Sequence, residues 1–210
     1  MAKKPTKSLY SVHPGVKMVQ DWIASLKEKS GRTLEEWIKH IKKEGPDDEK
    51  ACGQWLKEQY QMGTNTAWWL AERALGKNKM GLADEDPASY LREAPQYVDE
   101  MYAGPKEALR PIYDELLHVG LAIASDVKAC PCKTIVPLYR NHVFAQIKPT
   151  TRTRIDLGLS LKDIKTPARL IDTGGFAKKD RITRRIPISS LEEIDADVKK
   201  WLKVAYDMDA

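Results

Sequence analysis

The apolar positions of the first third of the chain recur with the period of a helix. Val16, Val19, Ile23 and Leu26 are three or four residues apart, which puts them on one stripe of a helix that starts at Pro14. Gly31 breaks that stripe. Thr33 with Glu36 three residues on has the form of a capping box and predicts a second helix with Leu34, Trp37, Ile38 and Ile41 inside. Gly45-Pro46 ends it. Asp47 or Asp48 begins a third helix holding Trp55 and Leu56. After the turn "QMGTN" a fourth helix, over about 65–75, carries Ala67, Leu70, Ala71 and Ala74, and Gly76 closes it. Five of the six tryptophans fall in this stretch, enough for a small core of its own.

Residues 76–87, "GKNKMGLADEDP", have no periodicity and read as a linker. Helical patterns return over about 88–102 and 105–123. Pro105 suits a first helical turn, and Pro111 predicts a kink or a late start. The period then drops to two. "KTIVPLYR" is a strand in which Pro137 marks an edge or a bulge. Arg140-Asn141 turns the chain into "HVFAQIK", with Val143, Ala145 and Ile147 on one side. Beyond Pro149, Thr153, Ile155, Leu157, Leu159 and Leu161 alternate without a fault. "DRITRRIPI" is a further strand, and a last helix over about 190–206 turns Ile194, Val198, Trp201, Leu202 and Ala205 inward.

This order predicts an α+β protein in two parts. Residues 1–80 form a small helical bundle with a basic disordered start and about four helices. Residues 88–210 form an α+β domain of two helices, an antiparallel meander and a C-terminal helix, with the helices on one face of the sheet.

Composition narrows the class. The chain is 42% hydrophobic and 31% charged, which excludes disordered and fibrous classes. No apolar run approaches the roughly 18 residues of a membrane span, and the start has no secretory pattern. Three cysteines cannot build a disulfide framework, so a cytoplasmic protein is expected. The net charge of +5 is unevenly spread: residues 81–127 hold 3 basic and 10 acidic side chains, whereas residues 128–185 hold 14 and 4. Such segregation suits an anionic partner or an internal acidic neighbour.

The basic excess centres on "HVFAQIKPTTRTRIDLGLSL". Alternation sets Arg152, Arg154 and Asp156 on the face opposite Ile155, Leu157 and Leu159. His142, Phe144, Gln146 and Lys148 share that face on the neighbouring strand, and Arg181, Thr183 and Arg185 on the last one. Cations interleaved with a ring are what a single-stranded nucleic acid needs, for phosphates and for base stacking. The same pattern also serves as the solvated face of a half-open sheet, or as a contact with the acidic helices or a twin subunit. A pocket lined by Tyr139, His142 and Arg154 would instead take a small anion.

Other motifs are weaker. In "DTGGFAKKDR", Gly174 and Gly175 free the backbone and Lys178 and Lys179 follow; such a loop can cradle phosphate, but the Walker spacing is missing. "CPC" at 130–132 lacks the paired spacing of a zinc site, so no metal and no cofactor is expected. Residues 47–75 have helix–turn–helix order, with Asn65, Thr66, Arg73 and Lys77 as groove-facing candidates. No catalytic motif is present, and the reaction class, if any, stays open.

Several stretches carry a resemblance. "YSVHPGVKMVQDWI", "GRTLEEWIKHIKKEGP" and "GTNTAWWLAERALG" resemble domain of unknown function 4287. "CPCKTIVPLYRNHVFAQIKPTTRTRIDLGL" and "RLIDTGGFAKKDRITRRIPI" resemble domain of unknown function 5655. The resemblance is to a bacterial two-part group and implies no established activity. Domains similar to the second part also occur beside restriction-type and DNA-modification proteins, which by analogy favours nucleic acid. The expectation is therefore a binding module for an anionic partner, nucleic acid foremost. A pocket protein between the sheet, the Gly174-Gly175 loop and the helices, and a structural homodimer, are the alternatives.

Overall fold

The structure is a computed structural model that describes residues 8–76, 86–162, 164–165 and 167–210. The expected basic tail, nearly all of the expected linker and Lys77 lie outside the described residues. The chain divides into two compact units, one of residues 13–90 and one in which residues 8–12 join residues 91–210.

The first unit is a four-helix bundle: α1 (Pro14–Ser30), α2 (Leu34–Glu44), α3 (Glu49–Tyr60) and α4 (Thr64–Ala74). Its boundaries follow the local chemistry. Gly31 ends α1 at φ 77°, in the left-handed region that glycine enters without strain. The Thr33–Glu36 capping box forms in full: the Thr33 amide donates to Glu36 Oε2 at 2.7 Å, and the Glu36 amide to Thr33 Oγ1 at 3.3 Å. Asp48 caps α3 through the Ala51 amide. Leu26, Leu34, Trp37, Ile41, Cys52, Leu56 and Leu70 make a continuous buried core. Helices α3 and α4 approach closely at Gly53, where a Cβ would come within 2.7 Å of the Trp68 ring.

The second unit holds helix α5 (Pro87–Met101) from Leu91 onward, helices α6 (Arg110–Leu121) and α7 (Ala196–Met208) and a six-stranded antiparallel sheet. The expected helix over 105–123 splits into a 3₁₀ turn (Gly104–Leu109) and α6, whose first turn holds Pro111, where an N–H would have no intrahelical acceptor. The strands are β1 (Lys128–Ala129), β2 (Val136–Tyr139), β3 (Val143–Pro149), β4 (Ile155–Leu159), β5 (Ile171–Asp172) and β6 (Arg184–Ile188), in the spatial order β1-β2-β3-β4-β6-β5. The meander is as expected; β1 and β5, of two residues each, are additional. Val136, Leu138, Ala145, Ile147, Ile155, Leu157, Leu159, Ile186 and Ile188 line one fully buried face, and the helices cover it. Residues 8–12 belong to this unit: the Ser11 amide donates to Ala129 O at 2.9 Å, and Tyr10 Oη lies 3.1 Å from Tyr113 Oη.

One irregularity changes the face of a key residue. Leu138 pairs with Ala145, but Tyr139 pairs with Val143, so β3 carries one extra residue, a β-bulge, at Phe144. The bulge shifts the alternation by one place. Phe144 and Ala145 are both fully buried, and the Phe144 ring meets Tyr206 of α7 edge to face at 5.6 Å. The expectation that Phe144 shares the polar face with Gln146 and Lys148 is therefore corrected.

Candidate functional site

The polar face of the sheet is a set of neutralised pairs. Asp156 is 9% exposed and sits between two arginines: Arg154 Nε is 3.0 Å and Arg185 Nη1 2.9 Å from its Oδ1. Thr150 Oγ1 donates to its other oxygen at 2.8 Å. Asp209, just past α7, organises the opposite end of β3. Its carboxylate accepts from the His142 amide at 2.7 Å and faces the His142 ring at 3.0 Å and, more distantly, Arg181 at 3.9 Å. Arg140 faces Asp126, Arg184 faces Asp172, and Arg169 faces Asp195 and Asp197. Six of the seven arginines beyond residue 128 thus meet a carboxylate, much of it supplied by the acidic segments that flank the basic one.

Arg152 is the exception. It lies in the turn between β3 and β4 rather than on the strand, exposed, and pairs with none of these carboxylates among the described residues. With Lys148 it lines an open cleft of about 650 Å³ whose walls also include Lys106, Lys133 and Glu100. The β-turn sets Arg152 and Lys148 on one rim. The 3₁₀ turn before α6 supplies Lys106, whose Nζ donates to Pro149 O at 2.9 Å and ties that wall to the hairpin. Among the described residues of the lining, four cations stand against one carboxylate, which leaves the cleft positive. Its chemistry is the electrostatic capture of an anion, with lysines as mobile point charges and Arg152 offering a planar fork to phosphate or carboxylate oxygens. Sequence reasoning named Lys148 and Arg152 but not Lys106 or Lys133, because only the tertiary fold brings residues 106 and 133 to the hairpin.

The Gly174-Gly175 loop is stiff. Gly174 has φ 70°, and its amide donates to Asp172 Oδ1 at 2.6 Å. The Gly175 amide donates to Thr173 Oγ1 at 3.1 Å, so neither amide points out for a phosphate. A Cβ at Gly175 would lie 2.3 Å from Ile182 O, which requires glycine there. Lys178 and Lys179 are exposed at the loop's tip beside Phe176, whose ring is 67% exposed. Among the chain's two phenylalanines, this second one is the ring that faces solvent. Residue type alone does not separate the two; the bulge and the loop do.

Tyr139, Cys130 and Cys132 sit at the sheet's β1–β2 margin. The Cys130 and Cys132 thiols lie 3.7 and 3.8 Å from the carbonyls of Val12 and Cys130. Burial pushes Cys130 up to about 12, Cys132 up to about 11 and the Tyr139 phenol up to about 12. These groups ionise in the unfolded chain first, near 9 for the thiols, so the folded state loses stability as pH rises from about 9 towards 12. Melting at graded pH checks this. Native Cys130 and Cys132 are expected to resist iodoacetamide at pH 8 and to react once urea unfolds the chain. In the helix–turn–helix segment, Arg73 stacks over the Trp69 ring at 5.2 Å, and that ring meets Trp22 of α1 edge-on at 6.0 Å, so this helix is engaged in bundle packing.

The fold and its cleft thus define a class: a helical module followed by an α+β domain with a basic hairpin edge. The chain belongs to the family described as Domain of unknown function (DUF5655), whose model matches residues 98–209, just over half of it. A second model, Domain of unknown function (DUF4287), matches residues 18–75, within the helical unit. No curated protein and no solved structure matches the chain. No described helix is long and apolar enough to cross a membrane.

Proposed function

We propose that this chain is a binding module whose C-terminal domain captures an anionic partner, nucleic acid foremost, in the cleft of Lys106, Lys133, Lys148 and Arg152. The observation that carries this reading is the contrast among the arginines. Each of the others beyond residue 128 is neutralised by a carboxylate, while Arg152 stands exposed beside Lys148. Such a residue keeps its full charge for a phosphate. Phe176, held on a stiff basic loop at the other end of β4 and β6, offers a ring on which an unpaired base further along the same strand can stack. All three cysteines are free thiols, which suits work in the reducing cytoplasm. A small anionic ligand is the second reading, favoured by the size of the cleft.

Fluorescence anisotropy of labelled single- and double-stranded oligonucleotides across a salt series tests the proposal. Four phosphate contacts to a single strand give a log–log slope of about −3. Lys148→Gln with Arg152→Gln should flatten it by about 1 to 2 units. Phe176→Ala should weaken single-strand binding by about 1–3 kcal/mol and leave duplex binding unchanged. Absence of binding to either form at about 50 mM salt, where such contacts are strongest, would sink the nucleic-acid reading and leave the small anion.

A further inference from the structure

The helical bundle contains a second pocket, of different chemistry. It measures about 220 Å³ and is lined by Trp22, Lys29, Tyr60, Met62, Thr66 and Trp69, over a floor at Leu26. Its walls are fixed. The Tyr60 ring is wedged between Trp37, at 4.9 Å and 83°, and Trp55, at 5.1 Å and 77°, and its hydroxyl is hydrogen-bonded to the His40 ring. Behind it Ser30 Oγ donates to Leu26 O at 2.6 Å and accepts from Trp37 Nε1 at 2.7 Å. Trp22 and Trp69 meet at 71°, forming an aromatic corner. Aromatic walls held in place beforehand lower the ordering cost of binding.

The lining specifies the occupant. Two indoles, a phenol and a thioether favour a flat, polarisable ring. Among the described residues of the lining, Lys29 is the one charged side chain and no carboxylate is present. Lys29 therefore repels a cationic guest and attracts an anionic one. The volume is below the roughly 300 Å³ at which sites for drug-sized molecules begin, which limits the enclosed part of the guest to one aromatic ring system, with its charged group at the mouth. We propose that this pocket binds a planar aromatic ring bearing a single anionic group, with the ring in the Trp22–Trp69 corner beside Met62 and the anion on Lys29. The carboxylate of an aromatic acid and the phosphate of a nucleotide share this chemistry.

The test uses the full chain, with saturation-transfer NMR and tryptophan fluorescence as readouts. Indole-3-acetate and adenosine monophosphate are the charged probes, indole and adenosine their uncharged counterparts. At least one charged probe should bind about tenfold more tightly than its counterpart, a difference of about 1.4 kcal/mol. Which one does so identifies carboxylate or phosphate as the source. Lys29→Gln should erase that preference while leaving the uncharged partner's binding intact. Met62→Trp should fill the cavity and abolish binding; Thr66→Phe does the same from α4 should the first variant lose its cooperative melt. Lys148→Gln with Arg152→Gln should leave binding unchanged, and a loss there would place the probe in the basic cleft and overturn the assignment. Equal affinity for charged and uncharged probes, unaltered binding by a cavity-filled variant that still melts cooperatively, or no binding by any probe at about 5 mM would each overturn it as well.

Discussion

Phe144→Ala is expected to lower the stability of the C-terminal domain by about 3–5 kcal/mol, the range for deleting a fully buried aromatic side chain. The ring is 0% exposed and its edge meets Tyr206 at 5.6 Å and 85°. Its removal leaves a cavity between β3 and α7 that a packed sheet cannot close. The size of the effect discriminates between two registers. Under unbroken alternation Phe144 would lie beside Lys148 on the polar face, and truncation there changes stability by about 0.5 kcal/mol or less. Urea unfolding of the full chain, with hydrogen exchange of the β3 and β4 amides to locate the loss, measures the difference. Lys148→Ala, at an exposed position of the same strand, is the matched control. A loss confined to the range of that control would remove the bulge from the description of β3.

The elements with a strong local cause were legible in the sequence. The capping box at Thr33 and Glu36, the left-handed glycine at 31 and the apolar run from Ile155 to Leu159 are all set by residues within a few positions of one another. What was not legible depends on partners far along the chain. Strands β1 and β5 have two residues each, too short for any periodicity to register. The bulge at Phe144 exists because β2 and β3 fall out of step at Tyr139, and nothing in "HVFAQIK" alone announces it. The candidate site divides in the same way. Lys148 and Arg152 are neighbours across one turn and were visible together. Lys106 and Lys133 reach the cleft only through the packing of the 3₁₀ turn and the approach to β2. The basic face expected from alternation resolves into pairs through Asp156 within β4 for Arg154 and Arg185, and through Asp209, outside the strands, for Arg181.

Asp156→Ala is expected to cost about 2–3 kcal/mol and to make the domain a stronger anion binder. Removing one partner of a buried charge cluster costs about 3–5 kcal/mol, because the remaining charges stay desolvated and unpaired. The Asp156 side chain is 12% exposed, but Arg154 and Arg185 are 34% and 28% exposed. Water reaches the two guanidinium groups in part, and the lower figure follows from that screening. Asp21→Ala is the internal standard: its pair with Lys17 has the same 3.0 Å separation, but both side chains are more than half exposed, so the loss there should be about 0.5 kcal/mol or less. The expected contrast arises from burial, since the distances are equal. A double-mutant cycle of Asp156→Ala with Arg185→Ala should return a coupling of about 1 kcal/mol or more. The second readout follows from the same charges. Freed from their shared carboxylate, Arg154 and Arg185 add two cations to the face that ends at Arg152. The salt slope for single-stranded nucleic acid should therefore steepen by about 1.4 units, at roughly 0.7 per added phosphate contact. A variant as stable as Asp21→Ala would show that Asp156 anchors nothing. A destabilised variant with an unchanged slope would confine binding to the cleft of Lys106, Lys133, Lys148 and Arg152.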